Sequence, residues 1–370
     1  MSDQLQRIVV AYFIGMLTLN ACSEPRTPLS DWKSDCVGRM QLDLPENADI
    51  AANSVKTIAA LYKGGSQYRK VEFADGQVAG WSEFVYQGSL QISHALTPDD
   101  AQLLMSSAKE ESERSRTYTR KQGKTPEGEF LEYEFLKVLP HVGVANRINA
   151  RYSVSLFLDS HWLNQEGFKR GTWVEAKPHF NTLIEGISPR RFGDVPVAPG
   201  VCLPYFFIRD DNQPTRHISV TYRLKAHPDI TIWLEDANAV GHADWHRKDV
   251  NILDPEYRSN EFWTQIRQRE QSVKSLWSLP TYRHNHMAGQ KGLETYVSIV
   301  HKDGSEDFGY YSIAPGDSQS KDDKPDLQLY VVRDAKNAKS RGIEPLPKDE
   351  FLKMAQAIAA SVKRRPTTPN

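Results

Sequence analysis

The chain has 370 residues, 39% of them hydrophobic and 25% charged, a globular composition that allows a substantial core. Lys and Arg number 46 against 47 Asp and Glu, a formal net charge of −1. A general nucleic-acid binder would carry a clear basic excess, so no nucleic-acid partner is expected.

Residues 8–19 are an uncharged, largely apolar run. A membrane-spanning helix needs roughly 20 such residues, so the run fits the apolar region of a secretion signal. It ends in Leu19-Asn20-Ala21-Cys22, which resembles a bacterial lipobox. Residues 1–21 therefore read as a lipoprotein signal peptide, Cys22 as the lipidated first residue of the mature chain, and 22–35 as a tether. Asn20 and the weakly positive start depart from the pattern, and an ordinary cleaved signal or a start codon assigned too far upstream are the alternatives. Ser23, where Asp would resemble an inner-membrane retention signal, points to the outer membrane, facing the periplasm. With Cys22 set aside, Cys36 and Cys202 remain as a pair. An oxidising compartment permits a disulfide between them, and two buried free thiols are the other reading.

From Cys36 onward the chain reads as α+β, with antiparallel sheets packed against helices. Residues 36–194 are expected to form one domain, 195–201 (two prolines and a glycine in 194–200) a linker, and 202–365 a second domain. Met40, Leu42 and Leu44 alternate with polar residues up to Pro45, a half-buried strand. Further strands are expected over 83–92, 128–138, 150–158, 201–209, 218–224, 230–236, 293–301, 310–314 and 327–332. Thr97-Pro98-Asp99-Asp100 and Asp254-Pro255-Glu256 are helix starts. The first leads into 101–114 with Leu104, Met105 and Ala108 on one side, the second into a helix carrying Phe262, Ile266 and Val273 on or near one face. Each half opens with a cysteine beside a strand. Each closes with a helix, 178–187 and 351–362, followed by basic residues that suit a helix C-terminus. This parallel suggests two similar domains from an internal duplication.

Catalytic signatures are missing. There is no G-x-S-x-G elbow, no H-E-x-x-H zinc helix and no phosphate-binding G-x-x-x-x-G-K-[ST] loop. Gly64-Gly65-Ser66 reads as a turn. His242 and His246, with Asp244, could share a metal on a helix, but the flanking Asn238, Gly241 and Asp249 favour a polar loop. His284 and His286 form a second pair. The acidic stretch 317–326 lacks the glycine and glutamate spacing of a calcium loop, leaving a solvated loop or a partner contact. No catalytic residue, metal site or cofactor is assigned. Most of the 8 Trp and 15 Tyr should be core, with some as interface anchors.

Three pieces carry a resemblance: Cys36-Val37-Gly38-Arg39 leading to Asp43-Leu44-Pro45-Glu46; Gly200-Val201-Cys202-Leu203-Pro204; and Gly292-Leu293-Glu294 with Tyr311, Pro315-Gly316-Asp317 and Lys324-Pro325. In this order, behind a lipobox-like start, they resemble the immunity proteins of type VI secretion phospholipase effectors, in the fourth lipase-immunity family. The resemblance implies a non-enzymatic, periplasmic protein of two α+β domains arranged like a claw. It would grip a phospholipase effector and hinder opening of its active-site lid, and its own membrane contact would be the lipid anchor. The resemblance assigns no partner-binding residues. Competing readings are an envelope lipoprotein that binds a small ligand or acts as a scaffold, and a metal-assisted enzyme using His242 and His246.

Overall fold

The computed structural model describes residues 32–62, 71–86, 89–114, 118–125, 128–135, 141–149, 153–159, 186–209, 216–238, 254–269, 272–275, 281–317, 320 and 323–366. The signal-like segment with Cys22, Gly64-Gly65-Ser66, residues 178–185 and the His242/Asp244/His246 group lie outside them. None of the helices among the described residues is long and apolar enough to cross a membrane.

The first half contains β1 (Lys33–Val37), β2 (Met40–Leu44), β3 (Ala48–Ile50), β4 (Ala52–Asn53), α1 (Val55–Tyr62), β5 (Val71–Glu72), β6 (Glu83–Val85), β7 (Ser89–Ile92), α2 (Pro98–Arg114), β8 (Tyr118–Thr125), β9 (Gly128–Phe135), β10 (His141–Asn149), β11 (Ser153–Asp159) and β12 (Ile187–Pro189). The second contains β13 (Gly200–Leu203), β14 (Phe206–Arg209), β15 (His217–Leu224), β16 (Ile230–Ala237), α3 (Pro255–Arg269), β17 (Ser272–Ser275), β18 (Arg283–Met287), β19 (Gln290–Val300), β20 (Glu306–Ala314), β21 (Asp326–Arg333), α4 (Ala335–Ser340), α5 (Lys348–Ser361) and β22 (Lys363–Arg364). The class is α+β: apart from one isolated parallel bridge, pairing among the described strands is antiparallel.

Helix starts follow their local chemistry. Thr97 and Asp100 form a reciprocal cap: the Asp100 N–H donates to Thr97 Oγ1 (3.1 Å) and the Thr97 N–H to Asp100 Oδ2 (3.2 Å). Asp254 Oδ1 accepts from the Glu256 N–H at 2.9 Å. On α3, Phe262 and Ile266 are buried as expected from their spacing. Val273 is not on that helix, which ends at Arg269; it lies in β17, paired with Ile299. Ile187, the expected last residue of the helix over 178–187, instead opens β12 and pairs with Ile208 of β14. After α5 the chain turns extended at Val362, so Lys363 and Arg364 do not complement a helix end; they pair with Gln41 and Met40.

The largest sheet runs β17-β19-β20-β21-β16-β15-β6-β7-β11-β10-β9-β8, with β18 on β19 and β3 on β15, so hydrogen bonds pass from the second half into the first at β15–β6. The opening hairpin packs forward in the same way. Val37, Met40, Leu42 and Leu44 share one apolar cluster with Ile218, Leu329, Phe351 and Ile358. Within the expected linker 195–201, Gly200 and Val201 already belong to β13, and β12, β14 and β13 form one small sheet. Gly38 closes the β1–β2 turn at φ +56, and a Cβ there would stand 2.2 Å from Asp236 Oδ2, so both backbone angle and space demand glycine. Its N–H and C=O exchange hydrogen bonds with Cys202 at 2.8 and 2.7 Å, and beside them Cys36 and Cys202 are joined by a disulfide across 166 residues.

Two buried ion networks fasten these layers. Asp35 and Arg190, 0% and 2% exposed at the side chain, meet at 2.5 Å, and the Tyr222 hydroxyl donates to Asp35 Oδ2 at 2.8 Å. Burial alone would lower the Arg190 pKa; the Asp35 charge and hydrogen bonds more than reverse it. In the second network Arg216 pairs with Asp236 (2.7 Å) and Asp323 (3.1 Å), and Asp323 also takes Arg39 (3.2 Å) and Arg364 (3.1 Å). The acidic stretch is therefore not simply a solvated loop. Asp323 is drawn into these arginines, and Asp326 is 1% exposed against Arg258.

Candidate functional site

Period-2 alternation aligns polar and aromatic side chains on one face of the main sheet. Ser219 stands opposite Glu235, and Glu235 opposite Gln328; Trp233 stands opposite Tyr330, and Tyr330 opposite Tyr311. Helix α3 covers part of this face. Phe262 stacks on Tyr311 (centroids 4.1 Å, planes 6° apart) and meets Trp263 and Tyr330 edge-on. Gly309 allows the approach, since a Cβ there would stand 2.9 Å from the Trp263 ring. Between α3, the sheet and the segment before β6 lies a cleft of about 600 Å³, within the size range of ligand sites.

Segment 80–83 forms one wall and is docked by side-chain hydrogen bonds. Ser219 Oγ and Trp233 Nε1 donate to the Trp81 carbonyl at 2.8 and 2.7 Å, the Thr221 N–H donates to Ser82 Oγ at 3.0 Å, and the Glu83 N–H donates to Ser219 Oγ at 2.8 Å. They hold Trp81 at φ +76, a left-handed conformation costly for a bulky residue. The Trp81 ring faces Trp233 and Phe262, with centroids 6.3 and 5.7 Å away.

A hydrogen-bonded chain crosses the floor: Tyr311 Oη to Gln328 Oε1 (2.5 Å), Gln328 Nε2 to Glu235 Oε1 (2.6 Å), and His217 Nε2 to Glu235 Oε2 (2.8 Å). His217 Nδ1 lies 3.7 Å from Glu83. Burial favours the neutral imidazole, but Glu235 and then Glu83 outweigh it and raise the pKa from 6.5 to about 9. Arg258 is held by both carboxylate oxygens of Asp326, one at 2.6 Å.

A raised histidine pKa makes the His217–Glu235 pair fully stabilising below about 6.5, and that contribution is lost as pH rises through about 9. With 33% of the His217 side chain exposed, the loss should be at most about 1 kcal/mol. Wild type should thus lose more thermal stability than His217→Asn between pH 6 and pH 9.5; equal losses by differential scanning calorimetry would contradict the assignment.

Of these cleft residues, Phe262 and Tyr311 are named from sequence, as a helix-face position and a motif residue, but nothing in the sequence points to a cleft. Ser219 and Glu235 look like polar positions of half-exposed strands until α3 is folded over them. Of the residues singled out from sequence, Cys36 and Cys202 meet, both fully buried beside Phe207. His284 and His286 are exposed on β18, and no group of three or more His, Cys, Asp or Glu among the described residues is placed to hold a metal.

The fold is that of known immunity proteins. The chain is similar to the apo structure of immunity protein TplEi of the type VI secretion system from Pseudomonas aeruginosa (TM-score 0.50, 14% identity, 91% of this chain and 98% of that one). A structure of TplEi complexed with "L" peptide aligns at the same TM-score and identity, over 91% and 99%. The crystal structure of the Tle4-Tli4 complex contains a chain that matches at TM-score 0.52 and 14% identity, over 91% and 98%. No curated protein sequence matches the chain. Residues 194–367 match the family described as the Tle cognate immunity protein 4 C-terminal domain.

Proposed function

We propose that the protein is a type VI secretion immunity protein that binds and inhibits a phospholipase effector by hindering the opening of its active-site lid. The observation that carries this reading is the family match over 194–367. The fold shared with a chain of the Tle4-Tli4 complex supports it further, since the matched family is described as a Tle cognate immunity protein.

The proposed site of action is the periplasm, with Cys22 as lipid anchor. The lipobox-like residues 19–22 support this, and a disulfide between Cys36 and Cys202 suits an oxidising compartment. The test is to co-express the chain with a candidate phospholipase effector, such as a Tle4-like protein from the same genome, then to assay co-purification and phospholipase activity. A stable complex with suppressed activity is expected. Absence of a complex, with activity untouched, would overturn the reading.

A further inference from the structure

We propose that the cleft beneath α3 receives one basic side chain, lysine or arginine, projecting from the captured effector; this rests on the immunity reading above. Electrostatic balance is the first argument. Among the described lining residues, three carboxylates, Glu83, Glu235 and Glu261, stand against two cations, Arg258 and His217, and the buried Asp326 behind the cleft grips Arg258. Both cations already have partners: Arg258 is gripped by Asp326, and His217 is bonded to Glu235. At the rim the Glu83 side chain is 43% exposed and Glu261 is exposed. An incoming anion would meet these two carboxylates; an incoming cation would be steered towards them.

The walls provide the second argument. Trp81 and Phe262 present aromatic rings, and Tyr257 stands 44% exposed at the mouth. Aromatic faces attract ammonium and guanidinium groups, and the attraction strengthens as water is excluded. An arginine anchored between aromatic walls and carboxylates is also the usual make-up of an interface hot spot. The backbone of Trp81 is held in its left-handed conformation by hydrogen bonds before any partner arrives, so the wall is pre-organised.

The test compares dissociation constants of the full chain and the candidate phospholipase effector at about 150 mM salt, a condition in which the Debye length is about 8 Å. Variants are Glu261→Lys, the paired neutralisation Glu83→Gln with Glu261→Gln, and Glu350→Lys at an exposed position of α5 as a control. Thermal unfolding first confirms that each folds. Glu261→Lys should weaken the complex at least about tenfold and the paired neutralisation severalfold, while the control stays near wild type. If both cleft variants fold and bind like wild type, or if Glu350→Lys weakens binding as much, the cleft assignment falls and the immunity reading stands. If wild-type protein binds no effector, both fall.

Discussion

Asp35→Ala is expected to cost about 3–5 kcal/mol, the usual cost of breaking a buried ion pair. The change would leave the Arg190 guanidinium beside the opening hairpin without its counter-charge. Arg190 also donates to the Leu203 and Cys36 carbonyls, both at 3.0 Å, so it cannot swing to solvent without breaking β1 from β13. The Tyr222 hydroxyl would lose its 2.8 Å acceptor and keep only the Cys36 carbonyl at 3.5 Å. Urea unfolding should show a large drop in midpoint. Asp35→Asn, which keeps the shape and an acceptor, should lose less. A drop under about 1 kcal/mol for the alanine variant would mean that water reaches Arg190 in the folded protein.

Removing the bridge should come close in size. Cys36→Ser with Cys202→Ser is expected to lower stability by about 3–5 kcal/mol, because the crosslink spans 166 residues and restricts the unfolded chain. Both sulfurs are fully buried beside Phe207, so serine would also place hydroxyls in an apolar pocket. The measurement is the unfolding midpoint of the oxidised wild type, of the wild type under reductant, and of the variant. If the bridge contributes, the reduced protein should fall towards the variant. No shift under reductant, with thiols verified as free, would rule out that contribution. Asp35 and Cys36 are neighbours on one strand, so the two losses should not add in a combined variant.

Much of the strand layout was legible. The runs at 218–224, 230–236, 310–314 and 327–332 alternate or are rich in β-branched residues, and all lie within β15, β16, β20 and β21. Elements without that pattern were missed. β18 reads Arg283-His284-Asn285-His286-Met287, polar enough to pass for a loop; a turn with Ala288 and Gly289 at φ +51 and +78 brings it onto β19. α1 has only eight residues. The cleft was not legible at all, because its parts come from residues around 81–83, 217–235, 257–265 and 311–328. Asp35 and Arg190 are 155 positions apart, and no local rule couples them. The acidic stretch misled for the same reason: its partners Arg39, Arg216 and Arg364 are scattered along the chain.

The placement of β22 has a consequence for how the protein is made. Its two residues complete the sheet begun by β1 and β2. Ser361 Oγ accepts from the Asp43 N–H across 318 positions, and Arg365 reaches back to the Gly200 carbonyl at 2.6 Å. A ribosome adding 5–20 residues per second would take about 15–60 s to cover that stretch. Through that interval the first hairpin has no closing strand, and its buried face has neither Phe351 nor Ile358 to pack on. The nascent chain therefore cannot lock its native core before residue 364 has been made.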